Sequence, residues 1–158
     1  MVLIVDSREH WTHDDSKDAH IRDWLERHQI PYRIEKMDEG DYTLDRKTVI
    51  DRKQNLDEVA RNLLNRRDST RFWNEIRRAH QKGIHLIVLV EHGPNIKSVS
   101  DVAKWRSGWS GASGRAVADA MIRTEMAYGV TWRFCSKRNT AKQIYDILTE
   151  NLNIERSF

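Results

Sequence analysis

Apolar positions along this chain fall into short continuous runs and into spacings of three and four, and the two patterns alternate from end to end. Residues 2–5 are an apolar run, as in a strand buried on both faces. Ile21, Trp24, Leu25 and His28 recur at i, i+3, i+4 and i+7, which predicts a helix over 18–29 that Pro31 stops. Alternation over 32–37 predicts a strand. A turn at Gly40-Asp41 leads into strands over 42–44 and 49–53, which the short connection lets pair as a hairpin. Helical spacing returns over 56–64 (Leu56, Val59, Ala60, Leu63) and over 70–81 (Phe72, Trp73, Ile76). Residues 86–90 are the most hydrophobic stretch, which this pattern makes the central strand. Beyond them the chain predicts a short helix over 98–105, capped by Ser98 or Ser100, and a glycine- and serine-rich loop over 107–114. A helix over 115–127, a strand over 130–135 and an amphipathic helix over 140–151 close the succession, and 153–158 read as a loose tail. The alternation predicts one α/β domain over 1–152, a central mixed sheet flanked by helices.

Composition narrows the class. A chain of 158 residues can bury a core within one domain. Its 39% hydrophobic and 32% charged residues describe a globular, heavily solvated protein and exclude a disordered one. The net charge of +3, from 27 Lys and Arg against 24 Asp and Glu, suits a polyanionic partner without requiring one. The single cysteine, Cys135, excludes an internal disulfide and a Cys-rich zinc site, and its strand context makes it a core thiol. No run of 18 apolar residues exists and the first residues lack a basic leader. An intracellular protein with no membrane contact is expected, in the cytoplasm or nucleoid if the source is bacterial or viral.

The chemistry concentrates between Gly40 and Asp57. Side chains alternate along a strand, so Asp51 and Lys53 share a face. Asp41, arriving from the neighbouring strand, reaches the same point, and the main-chain carbonyl of Arg52 adds a third oxygen. Two carboxylates and an ammonium converging there suit a phosphodiesterase using Mg²⁺ or Mn²⁺, with Lys53 steadying or deprotonating the attacking water. Asp57 follows at a helix start, where an acid also meets the helix dipole. At the end of the first strand, Asp6 and Glu9 could add to the metal shell and Arg8 could contact a phosphate; the same run also reads as a polar turn.

Further signals are broader. Arg61, Arg66, Arg67, Arg71, Arg77 and Arg78 make a basic run just after the acids, either a phosphate-binding face or a solvated helix surface. The segment from Trp105 and Arg106 through Trp109 to Arg115 mixes aromatic, basic and flexible residues, which could stack on bases or fold back on the domain. His10 and His13 beside Asp14, Asp15 and Asp18 read as solvated loop residues rather than a transition-metal site.

The order Val5-Asp6-Ser7-Arg8-Glu9, Gly40-Asp41-Tyr42, Asp51-Arg52-Lys53 and the run from Leu86 to Glu91 resembles the XPF-type nuclease domain. That family lies within the PD-(D/E)XK superfamily and includes the archaeal Hef nuclease. The resemblance covers the first ninety or so residues well and the last strand and helix loosely. It implies a restriction-endonuclease-like core and a Mg²⁺- or Mn²⁺-dependent DNA endonuclease acting on branched or structured DNA in repair or recombination. It makes Asp41 and Asp51 metal ligands, Lys53 the catalytic lysine and Asp57 the family's trailing aspartate. It places Asp6, Arg8 and Glu9 in the first acidic-basic cluster. Arg71 falls where the family has an Arg ahead of a Gln, here Glu75. DNA is the implied partner, with pairing to a second copy or to a partner nuclease or helicase subunit, for which 115–135 offers apolar surface. Two departures stand out: Asp51 replaces the usual Glu, and the tandem helix-hairpin-helix module of most relatives is absent from these residues, so structure selectivity does not carry over. The rival reading is a catalytically silent or partner-dependent DNA-binding subunit, although such subunits tend to lose the acids or the lysine that this chain keeps.

Overall fold

The computed structural model describes residues 1–9, 18–67, 69–108 and 111–156. Six strands form one mixed sheet in the order β2-β1-β3-β4-β5-β6: β1 (Leu3–Asp6), β2 (Tyr32–Glu35), β3 (Tyr42–Thr43), β4 (Thr48–Lys53), β5 (His85–Glu91) and β6 (Thr131–Cys135). The β1–β3 and β3–β4 pairs are antiparallel and the other three are parallel. The helices are α1 (Ala19–Arg27), α2 (Leu56–Leu64), α3 (Ser69–Gln81), α4 (Val99–Val102), α5 (Gly114–Tyr128) and α6 (Thr140–Arg156).

The pleat of the strands sorts the core into two layers. Val49, Leu86, Val88, Val90 and Trp132 pack under α2, α3 and α5, meeting Val59, Leu63, Phe72, Ile76 and Met121. Leu3, Val5, Tyr42, Ile50, Ile87 and Leu89 face the other way, onto Ile21 and Leu25 of α1 and Ile144 and Ile147 of α6. The expected mixed sheet flanked by helices is therefore the fold.

Three details differ from the sequence reading. β5 is the second strand from the sheet edge and not the central one; its apolar run reflects helices on both faces and strand neighbours on both sides. The tail expected over 153–158 is helical as far as Arg156, because the spacing of Ile144, Ile147 and Leu148 docks α6 and the helix simply continues. The helix expected over 98–105 has α-helical geometry only at Val99–Val102, where the Ser98 side chain caps it by accepting from the Asp101 amide. Among the described residues no helix is long and apolar enough to cross a membrane.

Candidate active site

Register brings the two acids together. In the β3–β4 hairpin Tyr42 pairs with Ile50, so Asp41 stands opposite Asp51 one step further out. Directly opposed residues of an antiparallel pair place their side chains on one face, about 5 Å apart at Cβ. Gly40 makes the turn possible. Its φ is +73°, and a Cβ there would lie 3.0 Å from Val49 and 3.1 Å from the Ile50 carbonyl. The Asp41 amide donates to Ile50 O at 2.7 Å, and Asp41 Oδ2 accepts from the Arg52 amide at 2.8 Å.

Asp51 and Lys53 do share a face, the one turned toward α2 and α3. Lys53 Nζ lies 3.3 Å from Asp51 Oδ2 and 4.2 Å from the centre of the Phe72 ring. Glu75, one turn along α3 from Phe72, accepts from the Gly40 amide at 3.3 Å and feels the charge of Asp51. Asp41, opposite Asp51 in the hairpin register, feels the same charge. These groups line a cleft of about 350 Å³, with Arg8 and Glu9 toward one end and Asn62 and Arg71 toward the other.

The electrostatics are strained. Burial, then the charges of Asp51 and Glu9, push Asp41 well above the usual carboxylate range. Burial and the neighbouring Asp51 push Glu75 up to about 8 against the pull of Lys53. Burial works against the charge of Lys53, yet Asp51, Glu58, Glu75 and Asp41 together raise its pKa. Asp51 Oδ2 is buried and has no hydrogen-bond partner. A buried carboxylate oxygen that lacks a hydrogen bond, has only the Lys53 ammonium at 3.3 Å and stands beside a second carboxylate is what a hard cation relieves, so the residues fit an oxygen-seeking divalent ion. Among the described residues no three His, Cys, Asp or Glu side chains form a complete ligand set. Asp41 and Asp51 are the two opposed carboxylates that could share such an ion.

Other side chains named from the sequence take different places. Asp6 is fully buried and spent on structure: Oδ1 accepts from the Met37 amide at 2.8 Å and Oδ2 from Arg8 Nε at 2.6 Å. It thereby holds Arg8, whose Nη2 also donates to Met37 O at 2.8 Å. Glu9 accepts from Tyr42 Oη at 2.5 Å and from Arg52 Nε at 3.3 Å. Burial raises its pKa despite both partners. Asp57 does not line the cleft; its Oδ1 accepts from Ser107 Oγ. Arg67 lines a groove adjoining the cleft, beside Arg71. Arg106 and Arg115 are exposed around the α4–α5 connection and belong to neither. Trp109 lies outside the described residues, as do His10, His13, Asp14 and Asp15.

Sequence reasoning missed two things. Glu75, named from the resemblance only as standing in place of the family's Gln, reaches the cleft because α3 crosses the Gly40 turn. Arg52 was expected to offer only its carbonyl. Its side chain, 4% exposed, instead pairs with Glu91 at 2.8 Å, Asp18 at 2.5 Å and Glu9 at 3.3 Å on the opposite face of the sheet.

A family model for the ERCC4 domain matches residues 5–147. Two similar solved structures are of XPF from Aeropyrum pernix. One, in complex with DNA, has a TM-score of 0.68 at 18% identity and covers 96% of this chain and 64% of that one. The other has a TM-score of 0.67 at 20% identity and covers 96% of this chain and 61% of that one. This chain thus spans less than two thirds of those structures, and at such identity the likeness is one of fold. No curated protein matches.

Proposed function

The chain belongs to the ERCC4 domain family, and on that premise we propose that it is a metal-dependent DNA endonuclease acting on branched or structured DNA. The observation that carries this reading is Asp51, set opposite Asp41 in a cleft that also holds Lys53, with a buried Oδ2 that has an ion-pair contact to Lys53 but no hydrogen bond. Asp41 and Asp51, with the Arg52 carbonyl, would hold the ion. When bound, a Mg²⁺- or Mn²⁺-type ion lowers the pKa of a water and offsets charge on the phosphoryl oxygens. Lys53, anchored by Asp51 and by the Phe72 ring, directs its ammonium toward the attacking water and keeps that water in line with phosphorus. Arg8, pinned by Asp6, and Arg71 grip the scissile phosphate from the two ends of the cleft. Arg67 extends that grip, and Arg106 and Arg115 contact DNA further out. Aeropyrum pernix XPF, solved as a complex with DNA, supports DNA as the partner.

Cleavage of labelled duplex, single-stranded, splayed-arm and flap DNA in Mg²⁺, Mn²⁺ or EDTA, beside Asp51→Ala, tests the reading. Cutting that needs metal and is lost in the variant is expected. No cutting on any substrate, with DNA binding retained, would turn the assignment to a silent or partner-dependent subunit. Exposed Ile122 and Met126, one turn apart on α5, are the surface through which a second subunit would pair. A strict monomer in gel filtration at high concentration removes that suggestion.

A further inference from the structure

Next to the cleft lies a groove of about 500 Å³ along the outer side of α2 and the start of α3. The two cavities share Gln54, Glu58, Asn62 and Arg71, so they form one continuous depression. Arg61 and Arg67 line its far part. Among the described residues none of Arg61, Arg67 and Arg71 has a carboxylate within ion-pair distance, while Arg52, Arg46 and Arg33 all do. Among the described residues the one acid lining the groove, Glu58, is engaged: Oε2 accepts from the Gln54 amide at 2.8 Å, closing the helix start that Asn55 caps.

Three exposed guanidinium groups opening into a carboxylate-floored cleft are an asymmetric arrangement. Among the described residues Arg8 is the one exposed cation at its end of the cleft, Arg52 being buried among acids; on the α2–α3 side exposed cations continue past the cleft. Among the described residues no aromatic side chain lines the groove, so these residues offer neither a stacking platform nor, with their few amides, a code for base edges. Its chemistry is that of a track for phosphates. We propose that the Arg61–Arg67–Arg71 groove binds the phosphodiester backbone of the substrate DNA on one side of the scissile bond, independently of sequence. The inference rests on the nuclease reading for the identity of the polyanion, and it adds Arg61 and a direction to the contact surface.

The test is binding without cleavage: fluorescence anisotropy of labelled splayed-arm and duplex DNA in EDTA, across a salt series. Arg61→Ala/Arg67→Ala is compared with the parent and with Arg27→Ala/Lys142→Ala, which removes the same charge from the opposite helical layer. Each phosphate contact contributes about 0.7–0.9 to the slope of log affinity against log salt, so the groove variant should lose about 1.5 in slope. Its affinity should fall about tenfold or more at 0.1 M salt, equally for unrelated sequences, while the control stays within twofold. Arg61→Gln and Arg67→Gln, each expected to lose about half that slope, guard against a folding defect in the double variant. A groove variant that binds no worse than the control overturns the proposal, and so does a loss confined to one sequence. Because EDTA removes cleavage from the readout, the groove can fail while Mg²⁺-dependent cutting stands, and the reverse.

Discussion

Asp51 and Arg52 are neighbours on β4 and similarly buried, at 5% and 7% exposure, but the pleat sends them to opposite faces with opposite outcomes. On the Arg52 face every guanidinium nitrogen meets a carboxylate, from Glu9, Asp18 or Glu91. On the Asp51 face three carboxylates crowd one ammonium, and an oxygen is left without a hydrogen bond. Depth of burial is therefore not what separates a structural ion network from a reactive one. Partner geometry is: a fully paired network rigidifies the fold, whereas like charges held together by the backbone leave the site dependent on something that neutralises them.

The comparison breaks most visibly at Arg52. Arg52→Met removes the one cation shared by three buried acids, and urea unfolding should show a loss of about 3–5 kcal/mol. A loss below about 1 kcal/mol would mean that the network is no better satisfied than the cleft. Asp41→Asn should act in the opposite sense. It keeps an oxygen for the Arg52 amide and removes one of the crowded charges, so the metal-free protein should gain about 1 kcal/mol. The same variant should lose at least about a hundredfold in cutting, equivalent to about 2.7 kcal/mol of transition-state stabilisation. Destabilisation by Asp41→Asn would contradict the crowding argument.

Much of this division could be read along the chain. The hairpin, the shared face of Asp51 and Lys53 and the span of α2 follow from local pattern: a Gly-Asp turn, a period of two and the helical spacing of Leu56, Val59, Ala60 and Leu63. The fold class follows from the alternation of strand and helix patterns, since each apolar face must find a partner layer. Contacts between elements distant in sequence were less legible. Glu75 reads as one more acid on a charged helix, and only the crossing of α3 over the Gly40 turn makes it part of the cleft. The Arg52 partners come from the β1 end, the α1 start and the β5 end, 43, 34 and 39 positions away, and no local signal links them. Strand order was hidden for the same reason, because a hydrophobic run reports helices above and below it and not how many strands lie to each side.

Asp57 offers a smaller test of where the reactive face stops. Its partner is Ser107, outside the cleft, so Ser107→Ala should lower stability by about 1 kcal/mol and leave cutting within twofold. A large drop in cutting with unchanged stability would extend the reactive region to the α2 start and restore Asp57 to it.

The most direct measurement is calorimetric titration of Mn²⁺ into the parent and into Asp51→Asn, with no DNA present. If the Asp51 face is built to receive a cation, the parent binds a saturable ion and the variant, still folded, loses that binding. Equal binding by both proteins, or none by the parent, would contradict the assignment of this cleft as the metal centre.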